Sequence, residues 1–389
     1  MIRYVRKAYR GPIALSQYCR PNLFVFAKPS ILTYLVTKPY PAYPTYLHTH
    51  TTTAIIMSRY AEAHKQMGGP GDARPTAMQI IRDNGLEGDG LKGKVILITG
   101  CSSGIGIETA RALASTGARL FLAVRDLDKG RSTCGSFLEP GRVELIHLDT
   151  ADLASVRACA AEFLKKSPTL NILIANAAVM ATPTRVETKD GFEHQLATNY
   201  LGHFLLFYLL KDALLKGSTP AFNSRLVNVA SSGHHSSEII FDDFQLQKEG
   251  AYEPFKAYGQ SKTAQIYLSN YVDRVYGPKG LHALSLMPGG IATTLQQHMP
   301  DAVHKDMVNP ESRTYRWMKS PEQGAATTVL AAVGTEWEGK GGKYLEDCRE
   351  SRTQPLIPGV MGYKEYIYDA EKEDKTWALT LKTLGLEEH

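Results

Sequence analysis

The sequence predicts an α/β fold: a doubly wound parallel sheet of about seven strands, in a single domain, covered by helices on both faces. Two observations carry this. From residue 93 to about residue 345, short β-branched runs alternate with helical stretches, an order that demands crossover connections between parallel strands. A Gly-rich turn also stands between the first strand and the first helix. Rossmann-like sheets bring backbone close to a phosphate at that place.

The elements follow in order. The run KVILITG at 94–100 is apolar, β-branched and closed by Gly, as a buried parallel strand should be. Residues 105–115 read as a helix, ARLFLAV at 118–124 as a second strand and VELIHL at 143–148 as a third. Residues 152–166 are helical, with Leu153, Val156 and Phe163 on one face. LNILIAN at 170–176 is a fourth strand, 191–216 a long apolar helix and RLVNVA at 225–230 a fifth strand. Residues 255–276 form a further helix, HALSLMPG at 282–289 a sixth strand and GGKYL at 341–345 a seventh. The domain is thus expected over 93–350, after an arm at 57–92 and before a C-terminal tail with a helix at 351–389.

Composition is that of a globular protein: 389 residues, 43% hydrophobic and 21% charged. No apolar run approaches the roughly 18 residues of a transmembrane helix. The five Cys are scattered, none at C-x-x-C spacing, so a reducing compartment is expected and a disulfide framework or zinc site is not. The formal charge of +5 is uneven. Residues 1–61 hold eight of the 44 Lys and Arg and no acid, leaving 36 basic against 39 acidic residues in the rest. The body is therefore not basic, and nucleic acid is not an expected partner. Residues 1–56 carry six Pro and no steady period. They read as an extension outside the fold, either a mitochondrial targeting segment or translation upstream of a start at Met57. Cytoplasm is the default location, and mitochondria follow if the segment is genuine.

Residues 99–106, TGCSSGIG, place Gly100, Gly104 and Gly106 at the strand-to-helix turn, with Ser102, Ser103 and Ile105 between them. Helix N-termini offer free N–H groups and a positive dipole end, so this turn is a candidate phosphate cradle. Arg125 ends the second strand, where a carboxylate would hold a ribose 2′-hydroxyl and an Arg accommodates a 2′-phosphate. Tyr258 and Lys262 lie four apart in the helix at 255–276, so both can face one ligand.

These residues resemble the short-chain dehydrogenase/reductase family, whose glycine motif is T-G-x-x-x-G-x-G, over roughly 93–345. Further motifs fall in the family's order. In LDTADLASV the resemblance gives Asp149 a hydrogen bond to the adenine amino group, with Thr150 beside it. ANAAV stands for the family's N-N-A-G, with Asn176 matching its second Asn and Ala175 and Ala178 departing from it. ATNYLGHF supplies Asn199, and VNVASSGHH supplies Ser231 with Ser232 as its neighbour. Asn199, Ser231, Tyr258 and Lys262 complete the family's catalytic tetrad. MPGGIATT contains P-G-x-x-x-T, which in the family wraps the nicotinamide carboxamide and points to Ile291 and Thr293.

The resemblance implies an alcohol–ketone or alcohol–aldehyde oxidoreductase using NADP(H), the cofactor that Arg125 favours. A free phenol, with a pKa near 10, is a poor base at neutral pH. Neighbouring positive charge favours its phenolate, which lets Tyr258 exchange a proton with the substrate oxygen. Ser231 would stabilise that oxygen, Lys262 would bond the nicotinamide ribose, and Asn199 would hold a water linking Lys262 to solvent.

Phrases such as NYLGHFLL resemble the retinol dehydrogenase and WW-domain oxidoreductase type, although no Trp precedes Trp317 and no WW module is encoded. MGGPGDARPTAMQII resembles fungal members, many of which act on terpenoid or polyketide intermediates. The substrate is expected to be a small hydrophobic molecule, met by a lid after Thr293 that contains Met299, Met307, Trp317 and Met318. An insert at 236–256 adds Ile239, Ile240, Phe241, Phe244, Tyr252 and Phe255, as either a pocket wall or ordinary loop packing. A retinol- or steroid-like lipid substrate, or a non-catalytic NADP(H)-sensing role, is the alternative, and a homodimer is left open. No metal is expected: His194, His203, His234 and His235 lack carboxylate or thiol partners at ligand spacing.

Overall fold

The computed structural model describes residues 59–353 and 360–387. The extension at 1–56, with both readings given to it, lies outside these residues. So does part of the tail.

Eight strands form one sheet in the order β3-β2-β1-β4-β5-β6-β7-β8. They are β1 (Val95–Thr99), β2 (Arg119–Val124), β3 (Val143–His147), β4 (Ile172–Ala175), β5 (Ser224–Val229), β6 (Leu281–Met287), β7 (Lys343–Glu346) and β8 (Arg349–Glu350). The first seven pair in parallel. Residues of β1, β4 and β5 are buried throughout, which is why β1 and β4 read as apolar runs rather than alternating ones, while β5 also buries Ser224, Arg225 and Asn228. The eighth strand is a correction to the expected seven. It runs antiparallel to β7 through a tight turn in which Asp347 and Cys348 both have positive φ (50° and 56°). Such a turn is usually marked by Asn-Gly or Asp-Gly. With Asp-Cys instead, and only two residues beyond it, the strand has no sequence signature.

The sequence order reverses between β1 and β4, so the chain leaves the two strands in opposite directions and opens a crevice at their carboxyl ends. Two apolar clusters fill the faces of the sheet. One joins it to α4 (Leu153–Lys166), α5 (Gly202–Gly217), α6 (Pro254–Tyr276) and α11 (Ala370–Leu384). The other joins it to α1 (Ala77–Asp83), α2 (Ile105–Ala114), α3 (Leu127–Cys134) and α10 (Ala326–Val333). Side-chain caps set several of these starts: Asp152 accepts from Ala154 and Ser155 N–H, and Thr76, Asp126 and Asp369 act likewise for α1, α3 and α11. Pro254 opens α6, where its missing N–H costs nothing.

Helix α1 lies within the stretch read as an arm, yet Ile80 and Ile81 are fully buried against α2 and α10. The tail helix α11 lies along α6. Trp377 stacks on Tyr271 (4.1 Å, 12°) and meets Phe204 at 4.9 Å, and Thr380 Oγ1 shares a 2.8 Å hydrogen bond with the Tyr200 hydroxyl. In the 236–256 insert, Ile239 and Phe244 are core residues and Phe241 packs on them, whereas Phe255 is exposed. Three short helices complete the described chain: α7 (Asp301–Val308), α8 (Arg313–Trp317) and α9 (Pro321–Gly324).

Candidate active site

At the carboxyl end of β1, Gly100 (φ 75°) turns the chain and Gly106 lies directly against it. A Cβ on Gly106 would fall 2.1 Å from the Gly100 carbonyl oxygen, so only Gly fits. Gly104 caps α2 without a side-chain hydrogen bond, and residues 102–105 are half-buried. No side chain caps the first turn of α2, and of its N–H groups only that of Ile107 meets a carbonyl, that of Gly104 at 3.3 Å. This is a backbone cradle that suits a pyrophosphate. Across from it, Thr293 approaches Gly104 so closely that a Cβ there would sit 3.3 Å from Thr293 Cγ2. Ile291, two residues earlier, is buried. The Asn176 amide donates to the Thr99 carbonyl (2.9 Å) and the Gly100 carbonyl (3.3 Å), tying the end of β4 to the glycine turn.

On the other side of the crevice, Arg125 is exposed just after β2. The two carboxylates nearest in sequence are engaged elsewhere: Asp126 accepts from Lys129 N–H, and Asp128 pairs with Arg131. Asp149 follows β3 half-buried, with one carboxylate oxygen accepting from Ala151 N–H, and Thr150 beside it is buried.

The third cluster lies at the carboxyl end of β5. Tyr258 and Lys262 share one face of α6, with the Lys262 Nζ 5.6 Å from the Tyr258 ring centre, and both are almost fully buried. Ser231 lies beside the Tyr258 ring at this turn: its side-chain oxygen accepts from Gly233 N–H at 2.9 Å, and a Cβ on Gly233 would fall 2.5 Å from the Tyr258 ring and 3.3 Å from Ser231 Oγ. Ser232 opens the short 3₁₀ turn that follows. Lys262 Nζ donates to the Val229 carbonyl and to Gln265 Oε1, each at 2.8 Å. Burial pushes the Tyr258 phenol up to about 12, opposed by the neighbouring Ser231 hydroxyl, and pulls the Lys262 ammonium down to about 7.

Asn199 falls within a π-helical turn, Ala197–Leu201, that interrupts the long apolar helix expected over 191–216. Periodicity does not reveal such a turn, because one extra residue barely disturbs an apolar stripe. The Asn199 side chain accepts from Val179 N–H (2.8 Å) and donates to the Val179 carbonyl (3.0 Å) and Ser261 Oγ (2.9 Å). It thereby joins the strand end after β4 to α6.

The family profile described as short chain dehydrogenase matches residues 94–243. Over 333 residues the chain is 53% identical to the short-chain dehydrogenase/reductase prx1 of Penicillium roqueforti, covering 85% of this chain and 96% of that one. The chain belongs to the short-chain dehydrogenase/reductase family. It is also 34% identical over 300 residues to the polyprenol dehydrogenase of Homo sapiens, covering 75% of this chain and 86% of that protein. Among solved structures, an uncharacterised protein from Mycobacterium paratuberculosis matches 81% of this chain and 98% of its own, at 28% identity and a TM-score of 0.59. This is a family of oxidoreductases that bind a nicotinamide cofactor, and the glycine cradle of this chain fits such a group.

The structure gathers the motif residues of this short-chain dehydrogenase/reductase at the carboxyl ends of β1 to β6. It also adds residues that sequence reasoning passed over. Gly233 lets the Tyr258 ring lie against the turn after β5, since a Cβ would fall 2.5 Å from the ring. Buried His203 joins two motifs: its Nδ1 meets the Asn199 carbonyl at 2.9 Å and its Nε2 meets Thr99 Oγ1 at 2.8 Å. Thr99 Oγ1 already accepts from the Asn176 and Ala177 N–H groups, each at 2.9 Å. Its own proton therefore goes to His203 Nε2, and Nδ1–H donates to Asn199. Burial pulls His203 down to about 4, which keeps it in this neutral form. Asn199 was visible in the sequence, but its connection through His203 to the glycine turn was not. Among the other histidines, His234 Nδ1 meets the Ser231 carbonyl at 2.7 Å and His235 Nε2 the Gly362 carbonyl at 3.0 Å. Among the described residues, no three His, Cys, Asp or Glu gather as a metal would require. Nor is any helix among them long and apolar enough to cross a membrane.

Proposed function

We propose that the protein is an NADP(H)-dependent oxidoreductase that interconverts an alcohol and a ketone or aldehyde on a hydrophobic small molecule. The observation that carries this reading is the placement of the Tyr258 ring beside Ser231 at the turn after β5, with Lys262 one helical turn away on the same buried face. The nicotinamide, when bound, supplies or accepts the hydride. The chain's own residues do the rest. Tyr258 gives a proton to the carbonyl oxygen in reduction and takes it from the hydroxyl in oxidation. Ser231 steadies the charge that develops on that oxygen. Val229 and Gln265 accept two of the three Lys262 protons, and the third is directed to the nicotinamide ribose. Asn199 holds the water that connects Lys262 to solvent.

Gly100, Ser102, Ser103, Gly104, Ile105 and Gly106 hold the pyrophosphate in this reading, Asp149 and Thr150 the adenine, Asn176 the crevice wall, and Ile291 and Thr293 the carboxamide. The hydrophobic substrate class is supported by the half-buried Trp317 and the buried Met299 and Met318 in the segment after Thr293, and by the similarity to a polyprenol dehydrogenase. A terpenoid or polyketide intermediate rests on the resemblance of residues 67–81 to fungal members of the family, with which the similarity to a Penicillium protein agrees.

Selection of NADP(H) rests on Arg125. Replacing Arg125 by Asp is expected to weaken NADPH binding about tenfold or more while leaving NADH binding less affected, since one charge-assisted phosphate contact is lost. Titration of both cofactors against both proteins measures this. Equal affinity of the unaltered protein for NADPH and NADH would remove the NADP assignment. A screen of NADPH and NADH oxidation against hydrophobic ketones and aldehydes tests the activity itself.

A further inference from the structure

Residues ahead of the sheet reach the far end of the site. Arg74 is buried, and its guanidinium donates from Nη1 to the Trp317 carbonyl (2.9 Å) and from Nη2 to the Met318 and Gly69 carbonyls. Its Nε donates to Asp72 Oδ1 at 2.8 Å. Gln323 closes the same junction: its Oε1 accepts from Gly71 N–H (2.9 Å), and its Nε2 donates to the carbonyls of Asp72 (3.0 Å) and Arg74 (3.1 Å). The Tyr315 ring covers Gly69, where a Cβ would fall 2.5 Å from it. Residues 69–74 and 315–323 are therefore tied together by side-chain hydrogen bonds to backbone.

The other side of that junction rests on the turn after β6. The Trp317 ring lies against Gly290, where a Cβ would fall 1.9 Å from Cζ3. Lys319 N–H donates to the Gly290 carbonyl at 2.7 Å. The Lys319 Nζ donates to the Pro288 carbonyl (3.2 Å) and to Asp347 Oδ1 (2.7 Å). The backbone of 288–290 is thus set by Trp317 and Lys319, and these are set by Arg74. The choice of Arg is physical. Carbonyls at the end of a helix such as α8 have no intrahelical partner, and a planar fork spans two of them where an ammonium reaches one.

We propose that Arg74 is a positioning residue for the nicotinamide end of the cofactor, acting through Trp317 and Lys319 on the 288–293 turn. This rests on the reading above that the turn receives the nicotinamide carboxamide. The effect should be confined to that end. Arg125 follows β2, which lies four strands from β6 in the sheet, or about 19 Å at the usual strand spacing.

The test compares NADPH with 2′-phospho-ADP-ribose, which lacks only the nicotinamide, by calorimetric binding, with NADH and ADP-ribose run in parallel. Arg74→Ala is expected to weaken the intact dinucleotide about tenfold and the nicotinamide-free fragment less than about twofold, with Arg74→Lys between Ala and wild type. Trp317→Leu, which leaves residues 69–74 intact, should give the same one-sided loss, and it carries the test if Arg74→Ala does not fold. Equal weakening of both ligands, or of neither, in a folded variant overturns the role of Arg74. A wild-type protein that holds the fragment as tightly as the dinucleotide instead overturns the nicotinamide reading of the turn, and the proposal with it.

Discussion

Tyr258→Phe is expected to lower turnover by about 10²- to 10⁴-fold, the usual contribution of a positioned proton donor. The ring keeps its place against Gly233 and only the hydroxyl is lost, so the thermal midpoint and cofactor affinity should stay close to wild type. Ser231→Ala should also lower turnover without weakening the cofactor, and Ser232→Ala should be milder. The decisive measurement is the pH dependence of alcohol oxidation. Its rate should rise with pH as the phenol loses its proton, and the rise should vanish in Tyr258→Phe. Burial holds that phenol up at about 12. The oxidised nicotinamide, when bound, brings positive charge beside it and favours the phenolate, so the rise in the working enzyme belongs below that value. Near-full turnover in a Tyr258→Phe protein that still binds cofactor would remove this mechanism and favour a sensing role instead.

Lys262→Met removes the second functional group while keeping most of its buried stem. Turnover should fall at least as far as in Tyr258→Phe, and cofactor binding should weaken. Stability supplies a separate reading. Burial lowers the Lys262 pKa to about 7 from an ordinary 10.5. Between those values the unfolded chain carries the proton and the folded chain does not, so the contribution of Lys262 to stability rises with pH. Below pH 7 both states are protonated and the contribution is constant at its least favourable. Denaturant unfolding of the two proteins from about pH 6 to about pH 10 should therefore show the difference moving in favour of wild type, on the order of a few kcal/mol. A difference independent of pH would mean that Lys262 keeps its ordinary proton affinity when buried.

Most of the sheet was legible because parallel strands buried on both faces must be continuously apolar, and runs such as 94–100 and 170–176 satisfy that with little ambiguity. The glycine turn was legible for a related reason. The approach of Gly106 to the Gly100 carbonyl excludes every side chain, so the requirement is written at single positions. The pairing of Tyr258 with Lys262 was legible because helical spacing alone places them on one face.

What escaped was set by contacts between distant segments. The turn into β8 has positive φ at Asp347 and Cys348, where no glycine announces it. Helix α1 is seven residues with three buried positions, too short for its period to stand out from a polar, Gly-rich surrounding. The 236–256 insert offered apolar residues for either packing or a pocket wall. Its sequence carries no information on which surface lies opposite, and that surface, centred on α5 and α6, took Ile239 and Phe244 into the core.

Local spacing and residue type thus indicated the order of strands and helices, the glycine turn and the Tyr258–Lys262 pair, since each of these is carried by a few neighbouring positions, and resemblance to the family's motifs added Asn199 and Ser231 as candidates. The packed molecule was needed to establish that Lys262 and Tyr258 are almost fully buried, with pKa values displaced in opposite directions. It was also needed to join Thr99 through His203 to Asn199, and to bring Arg74 to the Trp317 carbonyl 243 residues along the chain. Desolvation and hydrogen bonding act on whatever the fold brings within a few ångströms, and separation along the chain does not encode that proximity.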